Sequence, residues 1–221
     1  MNGPRAAGPG PVLVCFALKD EAKYFHPSKQ SCEVKVLITG MGRKNTESSV
    51  RPVLASLKPR MVITSGFAGG LDPALTLSAI IFDEDADVGL TTQLEELGAK
   101  RAKFFCADRI AATAMEKKSL RESTGAGAVE MESAVIRELC ARQKIPSATV
   151  RVVSDVASED MPLDFNQLTT ADMRMDFMKL TGKLVTNPGK IPSLMRFGKQ
   201  TQAAARALGN VLTELLLDRR D

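Results

Sequence analysis

The chain has no tryptophan, one tyrosine and one histidine, and aromatic residues make up only 5% of it. It carries no basic tract interleaved with aromatics, so nucleic acid is not an expected partner. The single histidine, His26, stands beside Pro27 with no strand end near it. It reads as a surface residue more readily than as a proton shuttle. None of the four cysteines forms a CxxC pair, and with one histidine a zinc site is not expected. No stretch reaches the roughly 18 uninterrupted apolar residues of a membrane span. The opening eleven residues lack an apolar core segment, so they read as a flexible tail (1–11) and not as a signal peptide. Neither GxGxxG nor GxxxxGK[ST] occurs, which argues against a dinucleotide or a nucleoside triphosphate.

What is present is an ordinary globular mixture. There are 221 residues, 44% hydrophobic and 25% charged, with a net charge of +4. That length suits one domain over 12–221. Cys15 and Cys106 lie in apolar runs and Cys140 on an apolar helix face, as reduced core thiols of a cytoplasmic protein would. Short apolar runs predict strands at 12–18, 34–39, 61–65, 79–82, 102–106 and 148–154. Between them, Val50, Val53, Leu54 and Leu57 recur at helical spacing, which puts Pro52 in a first turn or at a kink. Ile136, Leu139 and Cys140 share a face of a helix over about 131–143, and Ala204, Leu208, Val211, Leu212 and Leu215 one of a terminal helix. Arg219 and Arg220 fall near its end. Alternating strands and helices predict an α/β fold: three layers, with a mostly parallel central sheet flanked by helices. Asp83, Glu84, Asp85 and Asp87 read as a solvated turn.

Three acidic segments each close an apolar run. Glu21 follows Val12–Leu18, Glu130 and Glu132 follow Gly127–Val129, and Asp155 ends Ala148–Ser154. Ligands of open α/β sheets bind at the carboxyl ends of the strands, so these groups can converge on one pocket. Converging carboxylates push their pKa values apart, as general acid and base chemistry requires. Two glycine segments, Gly40-Met41-Gly42 and Gly66-Phe67-Ala68-Gly69-Gly70, also follow strands. Each predicts a turn where backbone can approach a ligand.

Five motifs in order resemble the purine nucleoside phosphorylase and nucleosidase superfamily. They are Ala17-Leu18-Lys19-Asp20-Glu21, Gly40-Met41-Gly42, Ser65–Leu71, Val129-Glu130-Met131-Glu132-Ser133 and Val150–Asp155. The full string resembles the methylthioadenosine/S-adenosylhomocysteine nucleosidases. Glu116-Lys117-Lys118-Ser119, Ser123-Thr124-Gly125-Ala126 and Pro188–Leu194 are more similar to the bacterial hopanoid-associated phosphorylases, linked to release of adenine from adenosylhopane.

The resemblance implies cleavage of the N-glycosidic bond of an adenosine-type nucleoside, through a sugar cation, with no metal or organic cofactor and in a homodimer or larger ring. It implies Asp155 as the acid on the purine, its protonation favoured by an apolar strand end. Glu132 holds the ribose hydroxyls, Met131 packs on the sugar, and Glu21 is the base for water. Gly66, Phe67, Ala68 and Ser154 are implied substrate contacts. Gly42 and Arg43 mark the site of phosphate or water. Phe67 stands where many relatives have a hydroxyl, which favours water. The segment at about 83–126 is shorter than in the nucleosidases and leaves room for a bulky apolar 5′ substituent. Base contacts are expected near Ala107-Asp108-Arg109-Ile110. The alternatives are a methylthioadenosine/S-adenosylhomocysteine nucleosidase, a phosphate-dependent phosphorylase, and a nucleoside-binding protein without turnover. Lys190–Lys199 mixes basic and apolar residues. It reads as a connection packed on the core, or else as a segment facing a membrane surface.

Overall fold

The computed structural model describes residues 10–27, 33–85, 88–170 and 176–217. Residues 1–9 of the expected tail, Cys32, Asp87, Arg219 and Arg220 lie outside them. Among the described residues eight strands form one sheet. Its backbone is β1 (Val12–Phe16), β2 (Val34–Ile38), β3 (Met61–Gly70), β4 (Ile80–Glu84) and β8 (Ser147–Asp155), completed by the short β5 (Lys100–Arg101), β6 (Phe104–Cys106) and β7 (Ala128–Glu130). The order is β2-β1-β3-β8-β4-β5. Pairs β1/β2, β1/β3 and β3/β8 are parallel, and β4 runs antiparallel to β8. The sheet is therefore mixed and mostly parallel.

Both faces are covered, which explains why the central strands are apolar throughout. Val12, Val14 and Phe16 point to one side and pack with Ala204, Leu208 and Leu212 of α7 (Ile191–Leu215). Leu13 and Cys15 point to the other. They pack with Val50 and Leu54 of α2 (Arg43–Leu57) and with Val135, Ile136, Leu139 and Cys140 of α5 (Ser133–Arg142). Cys15 and Cys140 are buried, and burial pushes both thiols up, that of Cys140 to about 12. Cys106 is only half-buried, less enclosed than its apolar run suggested.

Four sequence expectations change. Gly66–Gly70 is not a turn but the second half of β3, held by β8 on one side and by β7 at its tip. Pro52 lies well inside α2, not in its first turn. The carbonyl of Ser48 loses a donor there, but Ser48 is exposed and water can replace it. The run Asp83–Asp85 is not a solvated turn. Asp83 and Asp85 bind Arg137 at 2.6 and 2.7 Å, Asp85 also accepts from Ser147, and Glu84 accepts from the backbone of Leu90 and Thr91. Finally, α7 begins at Ile191, so Lys190–Lys199 is mostly helical and largely exposed instead of packed on the core.

Between β1 and β2 the chain makes α1 (Lys19–Ala22), which sits against α7. Gly209 of α7 makes that contact close. A Cβ there would stand 2.4 Å from the carbonyl oxygen of Tyr24. We expect Gly209→Ala to lower unfolding free energy by about 1–3 kcal/mol in urea denaturation, since backbone must move to admit the methyl. An unchanged midpoint would mean that α1 and α7 separate freely.

Candidate active site

Strand lengths create the site. β1 stops at Phe16, opposite Ser65, while β3 runs five residues further. Into the space beyond β1, α1 carries Glu21 back over β3. Glu21 is buried, accepting from Leu18 N and Phe67 N at 2.8 Å each. Its approach is possible because residue 66 is glycine. A Cβ there would meet Glu21 Oε1 at 2.5 Å and Arg151 Nη1 at 2.8 Å, and Gly66 holds φ +136°. On the other side a register shift between Ala68 and Gly69 brings Asp155, the last residue of β8, opposite Gly69.

Arg151, which the sequence reading left without a role, lies at the centre. It is 1% exposed in the middle of β8. Its Nη2 donates to Glu130 Oε2 at 2.6 Å, to Thr64 Oγ1 at 3.1 Å and to Glu132 Oε2 at 3.4 Å. Burial opposes its charge, but Glu130, Glu132 and Glu21 together hold it above the ordinary arginine value. Glu130 is saturated with donors. Its carboxylate also accepts from Glu132 N, Ser133 N and Ser133 Oγ at 3.0, 2.7 and 2.7 Å. That is a structural assignment, and it leaves Glu130 little capacity for a ligand.

Glu132 is different. Its Oε1 accepts from Gly42 N at 3.0 Å, and its hold on Arg151 is long. Desolvation, partly offset by Arg151 and reinforced by Glu130 and Glu21, pushes its carboxyl from 4.5 to about 7. Burial also raises Glu21, against the pull of Arg151 and three backbone amides. One guanidinium cannot neutralise three carboxylates, so the two less well hydrogen-bonded ones resist ionisation.

Asp155 is 7% exposed and has its own cation. Oδ1 accepts from Ser154 Oγ at 2.7 Å, and Oδ2 from Lys117 Nζ at 2.5 Å. Lys117 lies in α4 (Ala114–Thr124), is fully buried, and spends its other protons on the carbonyls of Val156 and Glu159 at 2.8 and 2.9 Å. An apolar strand end is thus not the whole environment of Asp155, because an ammonium faces it. Nor does Asp155 cap a helix, since it ends β8.

Glu21, Phe67, Ala68, Met131, Glu132, Ser154 and Asp155 all line one cavity of about 690 Å³. That lies within the range of roughly 300–1,000 Å³ typical of small-molecule sites. Arg109 and Ile110 line it too, and the backbone of Ile110 is clamped by Asn166 at 2.9 Å in both directions. Three expected residues are not among the lining. Gly66 lies behind the wall, Gly42 spends its amide on Glu132, and Arg43 is exposed and bound to Glu138 at 3.2 Å. Met161, Phe165 and Phe197 also line the cavity, as do the exposed Met195 and Lys199.

The sequence contained signals for the two cations that were missed. An arginine inside a run otherwise fit for burial needs a buried partner, and three glutamates were at hand. Lys117 follows the capping box Thr113-Ala114-Met115-Glu116 and lies three residues before the inward-facing Leu120, which puts it on the buried side of α4.

The phosphorylase superfamily profile matches residues 79–216, and the chain belongs to that superfamily and is an enzyme of it. A 5′-methylthioadenosine/S-adenosylhomocysteine nucleosidase of Glaesserella parasuis is 26% identical over 178 residues, covering 66% of this chain and 77% of that protein. In fold the chain is similar to the futalosine hydrolase of Helicobacter pylori, with a TM-score of 0.66, 16% identity, and coverage of 93% of this chain and 97% of that one. It is likewise similar to the methylthioadenosine/S-adenosylhomocysteine nucleosidase of Neisseria meningitidis, solved with methylthio-immucillin-A. There the TM-score is 0.67, identity 16%, and coverage 94% and 98%.

The raised carboxyl of Glu132 makes a pH prediction. A group that binds its proton more tightly when folded stabilises the fold at low pH, and that stability is lost as pH rises toward the folded value. Between pH 4.5 and about 7 the wild type should therefore lose stability that Glu132→Gln retains. Thermal melts should show the difference in Tm, variant minus wild type, rising by several degrees across that window and flat above it. A difference independent of pH would mean that Glu132 is ionised throughout.

Proposed function

We propose that this enzyme hydrolyses the N-glycosidic bond of an adenosine-type nucleoside bearing a bulky apolar 5′ substituent, such as adenosylhopane, and releases adenine. The observation that carries the reading is the placement of Glu21, Glu132 and Asp155 on one cavity, each held by separate donors. As the bond breaks, the purine gains electron density and the ribose gains positive charge. Asp155 gives a proton to the ring nitrogen of the leaving purine. Glu132 accepts from the ribose hydroxyls and sets negative charge near the sugar cation, with Met131 against the ring. Glu21 takes a proton from the attacking water, so one proton is given and one received per turnover. Lys117, at 2.5 Å from Asp155, is the nearest cation from which the acid can be recharged.

Water is preferred to phosphate for a physical reason. A phosphate acceptor needs free cations or amides. Arg43 is bound to Glu138 away from the cavity, and the Gly42 amide is taken by Glu132. The apolar substituent is supported by Met161, Phe165 and Phe197 in the cavity lining. The small methylthio group of methylthioadenosine is the second reading, supported by the sequence relatives with that activity.

Adenine release should be independent of phosphate and should fall by about 10²–10⁴-fold in Asp155→Asn. Lys117→Met should lower kcat with KM little changed, provided the variant is folded by circular dichroism. Release that requires phosphate would overturn the hydrolase reading. Full activity in Asp155→Asn would overturn the assigned acid.

A further inference from the structure

Exposed apolar and basic residues recur between positions 178 and 199, and two of them, Met195 and Lys199, line the cavity. Among the described residues, four of the eight exposed large hydrophobic side chains fall between 178 and 195: Met178 at 87% exposure, Val185 at 75%, Ile191 at 42% and Met195 at 62%. Met178 and Val185 stand seven residues apart in α6 (Phe177–Thr186) and so share one helix face. Ile191 and Met195 stand four apart at the start of α7 and share another. Exposed apolar clusters of this kind mark interaction surfaces.

Charge indicates what would cover the patch. From Phe177 to Thr213 the sequence has six lysines and arginines and no aspartate or glutamate. Lys183, Lys190, Arg196 and Lys199 are all exposed along it. A second copy of this chain would bring the same cations to an isologous contact, and like charges would oppose it. An anionic lipid surface supplies the complementary charge and also accepts the apolar side chains. A short helix with apolar residues on one face and lysines on its flank has the composition of an interfacial element. The patch is continuous with the cavity, because Met195 and Lys199 belong to both.

We propose that α6 and the first turns of α7 dock this enzyme on an anionic membrane surface, with the cavity mouth against the lipid. The docking itself does not depend on the reaction. Its consequence, that a nucleoside with a bilayer-resident apolar tail enters without crossing water, rests on the nucleosidase reading above.

The test is flotation of the full chain with vesicles of phosphatidylcholine containing phosphatidylglycerol, and with phosphatidylcholine alone. The wild type should float with the anionic vesicles, and less so at high salt or on the neutral ones. The double variant Met178→Glu, Val185→Glu should reduce the bound fraction about tenfold or more while hydrolysing soluble methylthioadenosine at the wild-type rate. Absence of flotation with anionic vesicles, or flotation of the double variant equal to that of the wild type, would overturn the proposal. A patch that instead joins two copies would show as a dimer that the double variant dissociates, with no flotation, and would overturn it too. Loss of nucleoside hydrolysis in the wild type would overturn the functional reading and leave the docking result standing.

Discussion

Arg151 reaches Glu130 and Glu132 from the middle of a fully buried strand, with Glu21 close behind Gly66, and this contact governs the rest of the site. A buried guanidinium is costly to desolvate, and breaking such a pair by removing one partner typically costs about 3–5 kcal/mol. The chain meets that constraint with one glutamate saturated by amides and hydroxyls, and two others held more loosely. Glu130 fixes Arg151 and the start of α5 together. Glu132 and Glu21 are left facing the cavity with burial working against their ionisation. The same arrangement that makes the cluster unfavourable as a source of stability leaves those two carboxyls on the cavity wall poised to exchange protons.

The fold serves this arrangement through unequal strands. β3 outruns β1, so α1 can turn back over it, and β7 pairs with the tip of β3, so Met131 and Glu132 arrive from the third direction. The register shift at Gly69 sets Asp155 beyond the arginine, where Lys117 meets it. Two separate charge systems result, one around Arg151 beneath the cavity-lining carboxylates and one around Lys117 at the strand end. Keeping them apart gives the carboxylates of one cavity two different electrostatic environments.

Much of this was legible in the sequence. Val12–Phe16 is uniformly apolar and Ser147–Asp155 is buried along its whole length because the sheet is covered on both faces, and runs of that kind point to the α/β class. Glu21, Glu132 and Asp155 could be named because each ends such a run. Other features were hidden for physical reasons. Gly66–Gly70 resembles a turn in composition, and its strand geometry depends on β7 and β8, which are distant in sequence. Pro52 stays in a helix because the residue whose carbonyl it orphans, Ser48, is exposed to solvent, a fact of packing and not of local propensity. Arg43 resembled an anion ligand until Glu138, on a different helix, was found to hold it. The two buried cations were visible as letters, but their partners were 21 and 38 residues away, and only the fold joins Arg151 to Glu130 and Lys117 to Asp155.

The site rests on one imbalance, three buried carboxylates around a single guanidinium, and the direct measurement is a carbon-13 titration of the glutamate side-chain carboxyls in the ligand-free protein, with Glu132 assigned from the Glu132→Gln variant. Glu132 is expected to titrate near 7. Titration of Glu132 at its ordinary value near 4.5 would contradict it, because Arg151 would then be satisfying all three carboxylates at once.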